Sequence, residues 1–313
     1  MSATVFRHSR LTEMNEQALW LPRLFSPYLQ EPLQQRPAGS SGKNGACDLS
    51  FAVARGKTRL AHAFVTHPFH FTTPWYLDSA VPGMAVAYLQ TPAGGLIQGD
   101  RAQMRFTFGP RSHVHLTTQA AEKIHSMTAN CAVQHLVFTL DSGAYVEYCP
   151  EPVILFPGAR FAQSVTVSLA PEASFFFSEI FLSRSAADGT PFEALATTLR
   201  VQETNANLLM HDRSFADTRI HDLTGPGRLG KCHVWGQALL VGPVVPATWS
   251  QEIHELLSTE SDLCCGTTLL PRSRGVFVKV VGTNAPTVRR TLHRVWNYVR
   301  EHFLGVPAPS FPK

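Results

Sequence analysis

Three carboxylates stand out in this chain: Asp100, directly after a run of glycines, and Glu147 and Glu179, each set in a short run of apolar and aromatic residues. Such groups can do two kinds of chemistry. Two carboxyl groups about 5 to 10 Å apart can act as acid and base, or acid and nucleophile, on a glycosidic bond. Separate carboxylates can instead lend oxygen ligands to a divalent cation. Glu147 and Glu179 are the pair on which a β-solenoid carbohydrate-active hydrolase would run, and because sequence does not supply their separation, both chemistries stay open.

The other reactive residues form weaker patterns. His113 and His115 are two apart in an alternating run, so both project from one face of a strand, a geometry that can hold a metal. With fourteen histidines spread through the chain, this pair reads as structural. Cys131 with His135, and Cys232 with His233, match no structural zinc spacing. Gly94, Gly95 and Gly99 lack the spacings of dinucleotide and phosphate loops, and no helical pattern follows them. They are expected to supply positive φ or a close backbone approach at a sheet edge. No Gly-x-Ser-x-Gly elbow is present.

The elements that position these groups repeat. Phe106–Phe108, a turn at Gly109–Ser112 and His113–Thr118 form a strand, turn, strand unit. It recurs as Val137–Leu140, Asp141–Ala144 and Tyr145–Tyr148, and again as Val165–Leu169, Ala170–Ala173 and Ser174–Glu179. A period of roughly 30 residues is that of stacked architectures, in which each unit buries its apolar face on the next. The expected fold is therefore mainly β, with stacked strand repeats in a β-helix-like winding and a small α+β C-terminal part carrying two helices. Its hairpins are read at Leu49–Val65 and around Thr204–Asn207.

In the C-terminal part, Thr248-x-x-Gln251 has the form of a capping box and opens a helix with Trp249, Ile253, Leu256 and Leu257 on its apolar face. A strand pair follows at Thr267–Leu270 and Val276–Val281. The last helix has Pro286 in its first turn, carries Val288, Leu292, Val295, Val299 and Phe303 on one face, and is capped at its end by Gly305. Arg289, Arg290 and Arg294, with Arg300 further along, read as its solvated face. Residues 1–45, rich in Pro and Gly, are expected to be a flexible N-terminal extension. Residues 46–313 are expected to form one domain, with β repeats over 46–235 and the α+β part over 236–309.

Composition bounds the class. The 313 residues are 44% hydrophobic and 16% charged, enough for a sizeable core. The 27 basic and 23 acidic residues form no basic stripe interleaved with aromatics, which argues against nucleic acid. Six cysteines without framework spacing fit a reducing compartment, and no apolar run is long enough for a signal peptide or a membrane span. The expected location is the cytoplasm.

Three ordered segments carry a family resemblance: Gly94-Gly95-Leu96-Ile97-Gln98-Gly99-Asp100, Leu116-Thr117-Thr118-Gln119-Ala120-Ala121-Glu122-Lys123 and Val153-Ile154-Leu155-Phe156-Pro157-Gly158-Ala159-Arg160-Phe161. Together with Gly56-Lys57-Thr58 near one end, and Val295-Trp296, Arg300 and Gly305 near the other, they resemble the urease accessory protein UreD (UreH) family from about Ala46 to Pro309. The resemblance implies a maturation factor and not an enzyme. Its implied partners are UreF, the GTPase UreG and apo-urease, and its implied cargo is transient Ni2+ with no tightly bound cofactor. It also implies a mostly β winding of strands with a water-filled passage. Carried over by position, Asp100, Glu147 and Glu179 would be the nickel contacts, with Thr117 and Thr118 as polar lining. Such a route must compensate partial dehydration of the ion yet release it, which favours sparse carboxylates over a closed Cys/His cage.

Overall fold

The computed structural model describes residues 25–32, 43–184, 187, 189–225, 227–260 and 262–311. After a short helix, α1 (Ser26–Gln30), the hairpin β1 (Asn44–Ala54) and β2 (Lys57–Val65) leads through β3 (His70–Phe71) and β4 (Ala85–Gln90) into the coils. The first coil is β5 (Arg101–Phe108), β6 (His113–Thr118) and β7 (Glu122–Ile124). The second is β8 (Ala132–Leu140), β9 (Tyr145–Tyr148) and β10 (Val153–Leu155). In the third, β11 (Arg160–Leu169) is followed by a single long strand, β12 (Ser174–Ser183), whose start pairs with β9 and whose end pairs with β10.

Equivalent strands of successive coils pair parallel and in register, the rest of each coil serving as the crossover that parallel strands require. This is the physical content of the sequence repeat. Leu49, Phe106, Phe138, Val167 and Val201 stack in one row, and Ala87, Leu116, Tyr148, Phe177 and Leu239 in the facing row. Both rows point into one buried core. The turn before β5 needs its glycines: Gly95 has φ +126°, and a Cβ there would lie 2.3 Å from the carbonyl oxygen of Lys123.

The hairpin β13 (Ala194–Glu203) and β14 (Leu208–Asp217) completes a seven-stranded sheet ordered β14-β13-β11-β8-β5-β1-β2. Then come β15 (Val234–Val241), α2 (Thr248–Leu257), β16 (Leu263–Leu269), β17 (Gly275–Gly282) and α3 (Ala285–Leu304). The three strands extend the second sheet to β16-β17-β15-β12-β9-β6-β4-β3. The two helices pack on its outer side, where Trp249, Ile253, Val288, Leu292, Val295 and Val299 build a second core. In α3, Asn284 caps the start by accepting from the Thr287 N–H, and Gly305 ends it with φ 70°.

Three local expectations are corrected. Thr248 is the first residue of α2 and Ala247 its N-cap, with no side-chain cap bond, so no capping box forms. Arg300 does not join the solvated arginines of α3 but is fully buried. Within the segment read as a flexible extension, α1 is docked, with Phe25 and Tyr28 buried against Val133, Ala162, Ala194 and Ala196 and with Glu31 ion-paired to Arg160 at 2.8 Å. The rest of that segment, up to residue 24 and over 33–42, lies outside the described residues.

Candidate functional site: two carboxylates on opposite faces of one sheet

Glu147 lies in β9 beside His115 of β6 and Phe176 of β12 in a single cross-strand row. Glu179 is three residues beyond Phe176, an odd number, so the pleat turns it to the other face. Glu147 therefore looks outward to α3, and Glu179 inward to the space between the sheets. A glycosidase needs its two carboxyl groups flanking one bond in a shared groove. The hydrolase alternative is thus overturned: both groups are buried, with the sheet between them.

The outer carboxylate sits in a network of charges. Arg300 Nη1 donates to both Glu147 oxygens at 3.2 Å, and Arg300 Nη2 pairs with Asp78. Tyr145 donates its hydroxyl to Glu147 Oε1 at 2.8 Å, and His115 Nδ1 lies 2.8 Å from Oε2. Because an ionised carboxylate can only accept, His115 must carry a proton on Nδ1. Asp78 also accepts from the backbone N–H groups of Ala80 and Val81. Burial alone would raise the Glu147 pKa, but the His115 hydrogen bond and the charges of His115 and Arg300 outweigh it and hold the carboxyl below its ordinary range. The cluster ties the last helix to the repeat strands and to the loop before β4.

Among the described residues, no cation pairs with the inner carboxylate. Glu179 accepts from the side-chain amides of Gln163 and, at 3.1 Å, Gln237. Burial pushes its pKa up to about 7, with those amide bonds only partly offsetting the shift. A second acid, Glu122 of β7, lines the same small cavity of about 30 Å³ together with Thr91, Thr118, Gln134 and Gln163. Burial raises Glu122 to about 7 as well, against a 3.2 Å hydrogen bond from Thr91. Among the described residues, Glu122 Oε1 and Gln163 Oε1 have no hydrogen-bond partner. The interior thus holds two carboxyl groups that ionise near neutrality beside amide oxygens, a donor set suited to a hard or borderline cation.

The remaining expected residues divide between these environments. Thr118 lines the inner cavity, while its neighbour Thr117 faces the helix side and donates to the Cys149 carbonyl at 2.6 Å. Asp100 closes the glycine turn. It accepts from the N–H groups of Ile97 at 3.0 Å and Lys43 at 2.8 Å, and pairs with the Lys43 ammonium at 2.9 Å. His113 and His115 are not joined by further ligands, and no group of three or more His, Cys, Asp or Glu positioned for a metal occurs among the described residues. Sequence reasoning missed Asp78, Glu122, Gln163, Gln237 and the role of Arg300. Two of these left a signal. Glu122 stands in the Thr-Thr-Gln-Ala-Ala-Glu-Lys segment, and Arg300 follows Leu292 and Trp296 at four-residue steps on the apolar face of α3.

Known proteins similar to this chain share one description. A family model described as UreD urease accessory protein matches residues 43–312. UreD of Haloarcula marismortui is 34% identical over 288 residues, covering 91% of this chain and 96% of that protein. UreD 2 of Streptomyces griseus is 33% identical over 280 residues, covering 88% and 95%. UreD of Photorhabdus laumondii is 29% identical over 293 residues, covering 90% and 89%. The chain is therefore an accessory protein in the maturation of another enzyme, urease, and not itself a catalyst. It belongs to the UreD family. No helix among the described residues is long and apolar enough to cross a membrane.

Proposed function

We propose that this chain acts in the cytoplasm with UreF and UreG on apo-urease and passes Ni2+ toward the urease active site through the interior of its coils. The observation that carries the reading is the setting of Glu179, which among the described residues has amides and no cation beside it and lines a small cavity together with Glu122 and Thr118. A carboxyl group that ionises near neutrality can take up a divalent cation by releasing its proton and give the ion back as the proton returns. Asp100 and Glu147, the other expected nickel contacts, are already matched by Lys43 and Arg300. A nickel ion would have to displace a fixed cation there. Their part is accordingly to hold the surrounding structure in shape, and that of Thr117 is structural as well.

The test is nickel per urease active site and urease activity after co-expression of the accessory proteins with Glu179→Ala. Both should fall at limiting nickel, while co-purification with UreF and urease persists. Normal nickel content with Glu179→Ala would remove the interior route and leave a scaffold that only holds partners together. Fully active urease without this chain at low nickel would remove the assignment as a maturation factor.

A further inference from the structure

The described sheets have five edge strands, and four of them are protected against pairing with another chain. β2 carries Lys57, Arg59 and His62, β14 carries His211, Asp212 and Arg213, β3 is only two residues long, and β7 has three residues, one of them already bridged to Leu96. Charge and brevity are the usual means of blocking an open edge. The fifth edge, β16, has neither. Its sequence Leu-Cys-Cys-Gly-Thr-Thr-Leu contains no charged residue and no proline, and it pairs with β17 on one side alone. Along it, Cys264, Gly266 and Thr268 are exposed, and a Cβ on Gly266 would meet nothing within 4 Å. Leu263, Cys265 and Leu269 point the other way, toward the helix-side core.

We propose that β16 is an association edge for a second copy of this chain, the two strands pairing antiparallel about a two-fold axis at Gly266. The strand is complementary to itself in that arrangement. Leu263 comes opposite Leu269, Cys264 opposite Thr268 and Cys265 opposite Thr267, so on the helix side leucine meets leucine at both ends, and Thr267, between them, keeps its hydroxyl on the Ser250 carbonyl. Charge favours the same direction. Glu260, which pairs with Arg290 and Arg294, precedes the strand, and the half-exposed Arg272, which pairs with Glu203, follows it, so antiparallel copies add a base beside the acid where parallel copies would bring like toward like. A closed two-fold pair also uses up both edges and cannot propagate into a fibre.

The mass of the full-length chain in solution, by light scattering on a sizing column from low micromolar concentration upward, tests this directly. The wild-type chain should approach twice its monomer mass as concentration rises. Thr268→Lys, on an exposed side chain, should return it to monomer mass with an unchanged circular dichroism spectrum. Thr268→Cys places a thiol opposite Cys264 of the other copy, and oxidation with diamide should give a cross-linked dimer on a non-reducing gel that is lost when Cys264→Ser is added. A wild-type chain that stays monomeric throughout overturns the proposal. So does a dimer indifferent to Thr268→Lys, or an absent cross-link.

Discussion

The two faces of the second sheet treat a buried glutamate in opposite ways. On the outer face Glu147 is held ionised by Arg300, His115 and Tyr145, while on the inner face Glu179 meets only amides and keeps its proton to about pH 7. Both side chains are essentially inaccessible to water, so burial does not distinguish them; the partner does. A cation beside the carboxylate makes a fixed structural joint, and its absence leaves a group that can change charge inside the protein. The outer site thus suits holding the last helix in place, and the inner one suits exchange.

Breaking the outer joint should have the largest effect. Arg300→Leu strands Glu147 and Asp78 as buried acids without their cation, and removing one partner of a buried ion cluster typically costs about 3 to 5 kcal/mol. Urea unfolding at neutral pH should show that loss, with much of it recovered at low pH where the stranded acids take up protons. A cost below about 1 kcal/mol would mean that α3 is held by its apolar face alone.

The inner site should appear as a pH dependence of opposite sign. The folded-state pKa of Glu179 is raised from 4.5 to about 7. Its cost is therefore absent below pH 4.5, grows as pH rises through that window and is complete above 7, reaching about 3 kcal/mol at 1.36 kcal/mol per unit. Glu147, with its pKa lowered, contributes in the other direction, its stabilisation being lost only as pH falls below the ordinary carboxylate range. Glu179→Gln copies the neutral acid and should stabilise the chain above pH 7 while changing little near pH 4.5. Parallel unfolding curves for wild type and Glu179→Gln from pH 5 to 8 would place the buried charge elsewhere, with Glu122 the next to be substituted.

How far this contrast was legible in the sequence depends on which contacts are local. The coils were readable because in-register stacking demands the same apolar residue on the same face of every turn, as in the row from Leu49 to Val201. Helix α3 was readable from its period and caps, and that period already placed Arg300 on the buried side. What misled was its charge, since a lone arginine is ordinarily solvated. That Glu147 and Glu179 fall on opposite faces follows from parity only once β9 and β12 are aligned, and long-range pairing sets that alignment. The Lys43–Asp100 pair and the docking of α1 were likewise hidden. The first joins residues distant in sequence, and the second concerns a five-residue helix too short to show a period or to stand without its tertiary contacts.

The smallest and sharpest comparison is between neighbours. Thr117 and Thr118 are adjacent in β6, yet one faces the helix side and the other the inner cavity. Thr117→Val removes the donor to the Cys149 carbonyl, and Thr118→Val removes the bonds to the Ala120 carbonyl and the Glu151 N–H. At about 1 kcal/mol for each such hydrogen bond, unfolding experiments should show a cost of about 1 kcal/mol for the first and about 2 kcal/mol for the second. That difference reports hydrogen bonding and not delivery. Nickel content of co-expressed urease reports delivery: on the interior route it should fall for Thr118→Val and hold for Thr117→Val, because only the Thr118 change replaces an oxygen with a methyl group in the cavity that holds Glu179. Equal nickel content in the two variants would mean that polarity on the inner face plays no part in delivery, and the contrast between the faces would then concern folding alone.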